Sequence, residues 1–197
     1  MSPLQVKILS HSFWLAPALM LVSDLITLFQ IESAFWVASI SFWFTFYLFI
    51  YVIIAMVQMA GNTTFATISG LLAIFGSLIG ITIIGSARFA WGMELTGVTE
   101  EVLNEVHMHP WIFFTSRFPG ILFPIGLILL SFGLKRKGII NNGILIGLLI
   151  SIILFPMGRI PKIIEFNVVG DILMIVFFGM LVRKYQGLHQ ARAASSV

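Results

Sequence analysis

The 197-residue sequence contains no cysteine and few charged residues. Without cysteine, the chain has no disulfide, no thiolate metal site, no iron–sulfur cluster held by its own thiolates and no cysteine nucleophile. Charged residues make up only 10% of the chain, whereas hydrophobic residues make up 59%. A soluble domain of this size cannot bury so many apolar side chains, so the composition predicts a membrane protein.

The sequence also lacks a basic patch and familiar catalytic motifs. Its net charge of +3 comes from basic residues at the ends of apolar segments, so nucleic acid is not predicted as a partner. Gly-x-Ser-x-Gly, His-Glu-x-x-His and a phosphate-binding glycine loop are absent, as are a lysine in the middle of a span and paired histidines at matched depth. We therefore predict no catalytic residue and no cofactor, and an enzyme is disfavoured.

Six apolar segments predict an all-α membrane protein with six transmembrane helices. We interpret residues 1–197 as a single polytopic domain. The predicted spans are 12–30, 34–59, 64–87, 111–134, 139–157 and 166–182.

The basic residues predict how these spans are oriented. If both termini are cytoplasmic, seven of the eleven lysines and arginines fall on the cytoplasmic side and four fall at or near the outer side. Basic residues favour the cytoplasmic side of membrane proteins. The sequence therefore predicts a multi-pass protein of the cell membrane with a cytoplasmic N-terminus and C-terminus.

The one long connection, 88–110, contains a predicted surface helix. Thr99 is a capping residue, acidic residues follow it, and Val98, Val102 and Val106 are spaced to share one face. We therefore predict a short extracytoplasmic amphipathic helix over 99–106, between the third and fourth spans.

The end of the same connection carries a candidate metal site. Glu105, His107 and His109 form a Glu-x-His-x-His segment. Because the residue before Pro110 is pushed to extended geometry, both imidazoles are expected to point to the same side, as two ligands of one metal must. The alternative is that these histidines are simply solvated, since the spacing is permissive rather than specific.

A second candidate site is a layer of charged residues within the spans. Asp24, Arg117 and Asp171 each lie five or six residues inside the outer end of a predicted span, within roughly 7–9 Å of the outer surface. Arg88 and Arg159 fall at the outer ends of two further spans, just above this layer. Intramembrane charges usually face the bundle interior or a wet cavity and pair with one another.

This charged layer supports several functions. Arg117 and Arg159 can pair with Asp24 and Asp171 and pin four helices together, as in a structural or assembly subunit. Because three arginines outnumber two aspartates, a guanidinium can instead bind a carboxylate or a lipid phosphate. A proton relay through the aspartates is a further alternative, and a membrane-embedded enzyme using His107 and His109 is another. We predict binding or transport of a small anionic or amphipathic, lipid-like ligand, with membrane lipids as partners.

Two pairs of glycines predict close helix packing. Gly76 and Gly80 lie on one face of the third span, and Gly143 and Gly147 on one face of the fifth. Small-residue faces allow helices to approach closely. They predict either a compact bundle or a homodimer through one of these faces.

The segment Phe-Pro-Met-Gly-Arg-Ile-Pro at 155–161, followed by a last span that contains Asp171, resembles part of small six-helix bacterial membrane proteins of uncharacterised function. The similarity covers mainly the last ninety or so residues. It implies a location in the bacterial inner membrane and assigns no activity to any residue.

Overall fold

The computed structural model describes the backbone of residues 3–161 and 163–194, and the side chains in these ranges except at 3, 32, 87, 88, 100, 107, 108, 116, 117 and 191–194. Every regular element in this part of the chain is helical. Among the described residues, six helical segments are long and apolar enough to cross a membrane, which confirms the predicted six-helix bundle. The helices are α1 (Pro3–Leu28), α2 (Phe35–Met59), α3 (Thr64–Leu95), α4 (Glu100–Met108), α5 (Pro110–Ile112), α6 (Leu122–Arg136), α7 (Asn142–Arg159) and α8 (Ile164–Ala194).

The long helices pack in a closed ring that follows the chain order. α1 packs on α2, α2 on α3, α3 on α6, α6 on α7 and α7 on α8, and α8 returns to α1. Inside the ring, Phe49 of α2 packs edge-on against Phe123 of α6 and Phe178 of α8, with ring centroids 5.1 and 5.9 Å apart. All three rings are buried, so an aromatic core joins α2, α6 and α8.

Several helices continue beyond the predicted spans, and α3 shows why. The prediction ended this span at Ala87, before Arg88, but α3 continues to Leu95. A charged residue near the membrane surface does not by itself end a helix. The helix ends because Gly97 adopts a positive φ of 95°, which lets its N–H donate to the carbonyl of Glu94 at 3.0 Å and turns the chain away.

The predicted fourth span is not one continuous α-helix. We call Pro110–Arg136 the interrupted span, because α5 and α6 are separated by a π-helical turn, Phe113–Arg117, and a 3-10 turn, Phe118–Ile121. Pro119 and Pro124 have no N–H to donate, and a proline ring clashes with the carbonyl four residues earlier in an α-helix. The helix first widens into the π-helical turn and then tightens into the 3-10 turn. In the π-helical turn, the N–H of Phe118 donates to the carbonyl of Phe113, five residues back.

The Gly76 and Gly80 face is filled by the chain's own residues. Gly76 lies directly against the backbone of Phe123 in α6, and a methyl group at Gly80 would lie 2.7 Å from the ring of Phe46 in α2. The predicted tight packing is therefore internal. This face is covered by α6 and by the Phe46 ring of the same chain, and a homodimer stays a prediction.

The other glycine pair is half covered. The ring of Phe177 in α8 lies directly over Gly147 of α7. A methyl group at Gly143 would meet only the side-chain oxygen of Asn141, at 3.5 Å. Gly147 is therefore covered by α8 of the same chain, and a homodimer through this pair of glycines stays a prediction.

The predicted surface helix is present as α4. Leu103 is buried, whereas Val102 and Val106 are about half exposed. The helix is thus amphipathic, with Leu103 packed inward and the predicted valine face turned outward. Thr99 occupies the N-cap position, although its side chain makes no capping hydrogen bond. Its extracytoplasmic location stays a prediction.

A capping bond at the start of α7 gives a first testable prediction. Asn141 accepts a hydrogen bond from the N–H of Ile144 at 2.9 Å. Replacing Asn141 with Ala removes this acceptor and is expected to cost about 1 kcal/mol of stability, measured by chemical unfolding in detergent. Asn142→Ala is the matched control, since Asn142 is the first residue of α7 rather than its cap. Equal losses in the two variants would show that the cap does not stabilise α7.

Candidate functional site

An ion pair joins the end of α7 to α1. Arg159 donates from Nη2 to Oδ2 of Asp24 at 2.8 Å. The side chains of Arg159 and Asp24 are only 17% and 10% exposed. Pairing of Arg159 with an aspartate was one of the alternatives for the charged layer, and the structure shows this pair with Asp24. It joins two helices whose paired residues are 135 positions apart in the chain.

Asp171 of α8 lies beside this ion pair and is buried, with 1% of its surface exposed. Its carboxyl group interacts electrostatically with Arg159 and with Asp24. Neither oxygen of Asp171 accepts a hydrogen bond from a donor among the described residues. Asn167, one turn earlier on α8, also buries its side-chain oxygen without a described donor. Two buried groups on α8, the Asp171 carboxyl and the Asn167 side-chain oxygen, therefore have no hydrogen-bond donor among the described residues.

Two phenylalanine rings hold the guanidinium of Arg159. Its Cζ lies 4.8 Å from the ring centroid of Phe42 and 4.5 Å from that of Phe155, within the range of cation–π attraction. The Nε and Nη1 atoms are buried and donate to no acceptor in the described part of the chain. A guanidinium carries five N–H groups, so Arg159 keeps donors for a further acceptor.

A cavity of about 480 Å³ lies beside Arg159. It is bounded by α2, α3, the interrupted span and α7. Its walls are apolar, and Arg159 is the one charged side chain among its described lining residues. Five phenylalanines contribute to the walls: Phe42, Phe46, Phe113, Phe118 and Phe155.

The interruption in the fourth span shapes this cavity. Gly120, in the 3-10 turn, contributes no side chain to the wall, and both Phe113 and Pro124 lie along it. Irregular backbone at membrane depth is tolerated where it is buried in protein or lines a cavity. The two prolines therefore do more than disturb a helix, because the backbone they alter becomes one wall of the cavity.

An apolar groove of about 520 Å³ lies next to the cavity, between α6 and α7. It shares Ile121, Pro124, Pro156 and Ile160 with the cavity wall. Several of its residues, including Met157 and Ile153, are exposed on the apolar surface of the bundle. The groove and the cavity thus lie side by side and share one wall.

The structure brings together three of the five predicted ligand residues, namely Asp24, Arg159 and Asp171. The backbone of Arg117 lies in the π-helical turn and that of Arg88 lies in α3, but the side chains of both fall outside the described residues. Whether any of the five contacts a ligand stays a prediction.

At the candidate metal site, the extended backbone is present at His109 but not at His107. His109 has the extended backbone that Pro110 predicts, with φ −56° and ψ 129°, but His107 lies inside α4. Because His107 and His109 do not lie in one extended segment, the backbone gives no reason to expect aligned imidazoles, and metal binding by Glu105, His107 and His109 stays a prediction. Glu105 and His109 are exposed, and the side chain of His107 lies outside the description. No group of three or more metal-ligating residues occurs among the described side chains.

Three residues of the site were not predicted. Asn167 precedes Asp171 by four residues, and Phe155 precedes Arg159 by four, spacings that place each pair on one helix face. This spacing is a signal that could have identified both residues. Phe42 gives no such signal, because it contacts Arg159 only through the packing of α2 near α7.

The six apolar helices make the chain a multi-pass membrane protein. Comparisons with protein-family models, curated proteins and solved structures give no match. Function therefore has to be argued from the chemistry of the cavity and of the charged cluster beside it.

Proposed function

We propose that the cavity beside Arg159 binds an amphipathic anion, with a carboxylate or phosphate on the guanidinium and an apolar chain among the phenylalanines. The observation that carries this proposal is the state of Arg159, which lines the cavity. Nη2 is bonded to Asp24, while Nε and Nη1 have no described acceptor. Buried donors without acceptors are costly, and guanidinium binds oxyanions through strong charge-assisted hydrogen bonds.

The size and chemistry of the cavity fit such a ligand. Its volume of about 480 Å³ lies within the range of roughly 300–1,000 Å³ that is typical of small-molecule sites. Such sites are mostly apolar and contain a few polar groups that fix the ligand's orientation. Here Arg159 fixes the head, and the rings of Phe46 and Phe118 surround the chain.

The alternative is a structural or assembly subunit in which the Asp24–Arg159 pair only holds α1 to α7. The ion pair itself favours this alternative, since it needs no ligand. A packing role predicts that no amphipathic anion binds more tightly than a neutral molecule with the same chain. A direct comparison of ligands therefore separates the two functions.

We expect oleate to raise the melting temperature of the purified protein in detergent, while oleyl alcohol and acetate leave it nearly unchanged. Oleyl alcohol tests the chain without the charge, and acetate tests the charge without the chain. Oleoyl lysophosphatidate, in a parallel titration, distinguishes a lipid phosphate from a free carboxylate as the preferred head. Equal stabilisation by oleate and oleyl alcohol would rule out a role for the guanidinium.

A cavity-filling variant locates the binding site. Ile83 of α3 lines the cavity, so Ile83→Trp is expected to weaken oleate binding by about tenfold or more, because overpacking costs about 1–3 kcal/mol. Ile68→Trp makes the same change on the same helix at a position that is 55% exposed and does not line the cavity. Equal affinity in the two variants, with both folded, would place the ligand elsewhere.

A further inference from the structure

We infer that the ligand of the cavity is a two-chain anionic phospholipid, with its phosphate on Arg159, one acyl chain in the cavity and the other in the groove between α6 and α7. This inference rests on the proposed function, because it uses the same cavity and the same guanidinium. It adds the chemical class of the ligand and a second binding surface, which a single-chain anion does not need.

The first observation is the wall that the two apolar spaces share. Two of its residues come from the interrupted span and two from the region where α7 ends. Because the same side chains border both spaces, the wall is one side chain thick. The four residues are Ile121, Pro124, Pro156 and Ile160. Two acyl chains that leave one headgroup can lie on either side of such a wall.

The second observation is the position of Arg159 beside this wall. Arg159 directly precedes Ile160 and follows Pro156 by three residues. Its guanidinium is the one charged group among the described residues that line the cavity, and every described residue that lines the groove is apolar. A phosphate on Arg159 would bring the glycerol carbons next to Ile160, which is exposed. From there one chain can enter each space.

The third observation is that the two spaces are similar in size. Their volumes are about 480 Å³ for the cavity and about 520 Å³ for the groove. Along α7 the groove runs from Ile160 to Ile152, and along α3 the cavity runs from Ile84 to Gly76. Each stretch is about 12 Å long at a rise of 1.5 Å per residue. Similar dimensions are expected of sites for the two acyl chains of one phospholipid.

The surroundings of the groove favour an acyl chain as its occupant. The segments that form the groove are long and apolar enough to cross a membrane, and Ile125 of α6 and Ile153 of α7 are exposed along it. Lipid tails are as apolar as these side chains, so burial alone gains little. The gain comes from linkage, because the bound phosphate and first chain hold the second chain beside the groove at a high effective concentration.

Competition between dioleoyl phosphatidate and oleoyl lysophosphatidate tests the inference, because the two lipids share the phosphate and one chain. Native mass spectrometry of the purified protein with an equimolar mixture measures both occupancies in one sample. We expect phosphatidate to bind at least about tenfold more tightly, since a linked second chain raises the overall affinity. Dioleoylglycerol, which has both chains but no phosphate, should bind more weakly than either.

Filling the groove shows whether the second chain binds there. Ile153→Trp on α7 and Ile125→Trp on α6 change residues that line the groove and not the cavity. Each is expected to abolish most of the preference for phosphatidate, because the indole occupies the space of the chain, and to leave lysophosphatidate binding unchanged. Ile150→Trp is the matched control, since Ile150 lies on α7, is exposed to a similar extent and lines neither space. It should keep the full preference.

Equal binding of the two lipids to the native protein would overturn the two-chain inference and leave the proposed binding function intact. A preference that neither groove variant reduces, or that Ile150→Trp reduces equally, would also overturn it. Failure of oleate and of both phosphate lipids to bind would overturn the binding function itself. The comparison on the native protein holds even if neither groove variant folds.

Discussion

Replacing Arg159 with Met is expected to destabilise the folded bundle by about 3–5 kcal/mol, because Asp24 then keeps a buried charge without its partner. Met preserves much of the length and apolar character of the side chain, so the loss of stability reports mainly on the missing charge. Chemical unfolding in mixed micelles measures the change. Arg159→Lys retains the cation and is expected to lose much less stability. Because lysine lacks the planar guanidinium that binds an oxyanion through two N–H groups, this variant should bind the anion more weakly.

A second substitution checks whether the ion pair causes this loss. Adding Asp24→Asn to Arg159→Met leaves neither partner of the pair with a charge, so most of the lost stability should return. The two effects are then strongly non-additive, as expected for residues in direct contact. A double variant that is less stable than Arg159→Met alone would mean that the pair contributes little and that the packing of the Arg159 stem matters more.

Gly76→Ala is the other substitution with a large expected effect. The added methyl group would lie against the backbone of Phe123, which cannot rotate away as a side chain can. Separation of α3 from α6 is expected to cost about 1–3 kcal/mol or more. Since Gly76 also lines the cavity, oleate affinity should fall in the same variant.

Gly85→Ala provides the matched control for that substitution. It lies on the same helix, and a methyl group there meets nothing within 4 Å. Because alanine favours helix over glycine by about 1 kcal/mol, this variant should be as stable as the native protein or slightly more stable. A loss in Gly85→Ala equal to that in Gly76→Ala would show that backbone flexibility, rather than the α3–α6 contact, governs both.

The six helices could be predicted because a membrane span is defined by the length and apolarity of one continuous segment. The irregular backbone between Phe113 and Ile121 could not. Pro119 and Pro124 indicate that two donors are missing, but they do not determine whether the chain kinks, tightens or widens. That outcome depends on contacts with α3, including the backbone contact at Gly76.

The sequence identified several residues of the candidate site but not which of them pair. Counting residues from the span ends placed Asp24 and Asp171 in one layer, and the structure brings them together. Asp24 pairs with Arg159 because α8 packs on both α1 and α7 and brings these two helices near each other. This arrangement follows from the closed ring of helices and not from a local sequence pattern. The end of α7 also reaches the charged layer, although the sequence placed Arg159 just above it.

The aromatic residues of α2 show a further limit of sequence patterns. Phe46 and Phe49 are buried, whereas Trp43 and Phe44 are substantially exposed. Aromatic side chains occur on every face of this helix, so no periodicity separates core residues from lipid-facing ones. Only the packing of α2 against α6 and α7 reveals that Phe42 and Phe46 line a cavity.

The most direct test of the central claim is a crystal structure of the protein with 9,10-dibromostearate, whose bromine atoms are located by anomalous scattering. The account predicts a bromine peak between Phe46 and Phe118 and a carboxylate oxygen about 2.7–2.9 Å from a guanidinium nitrogen of Arg159. A cavity without bromine at saturating ligand, with Arg159 still bonded only to Asp24, would contradict it.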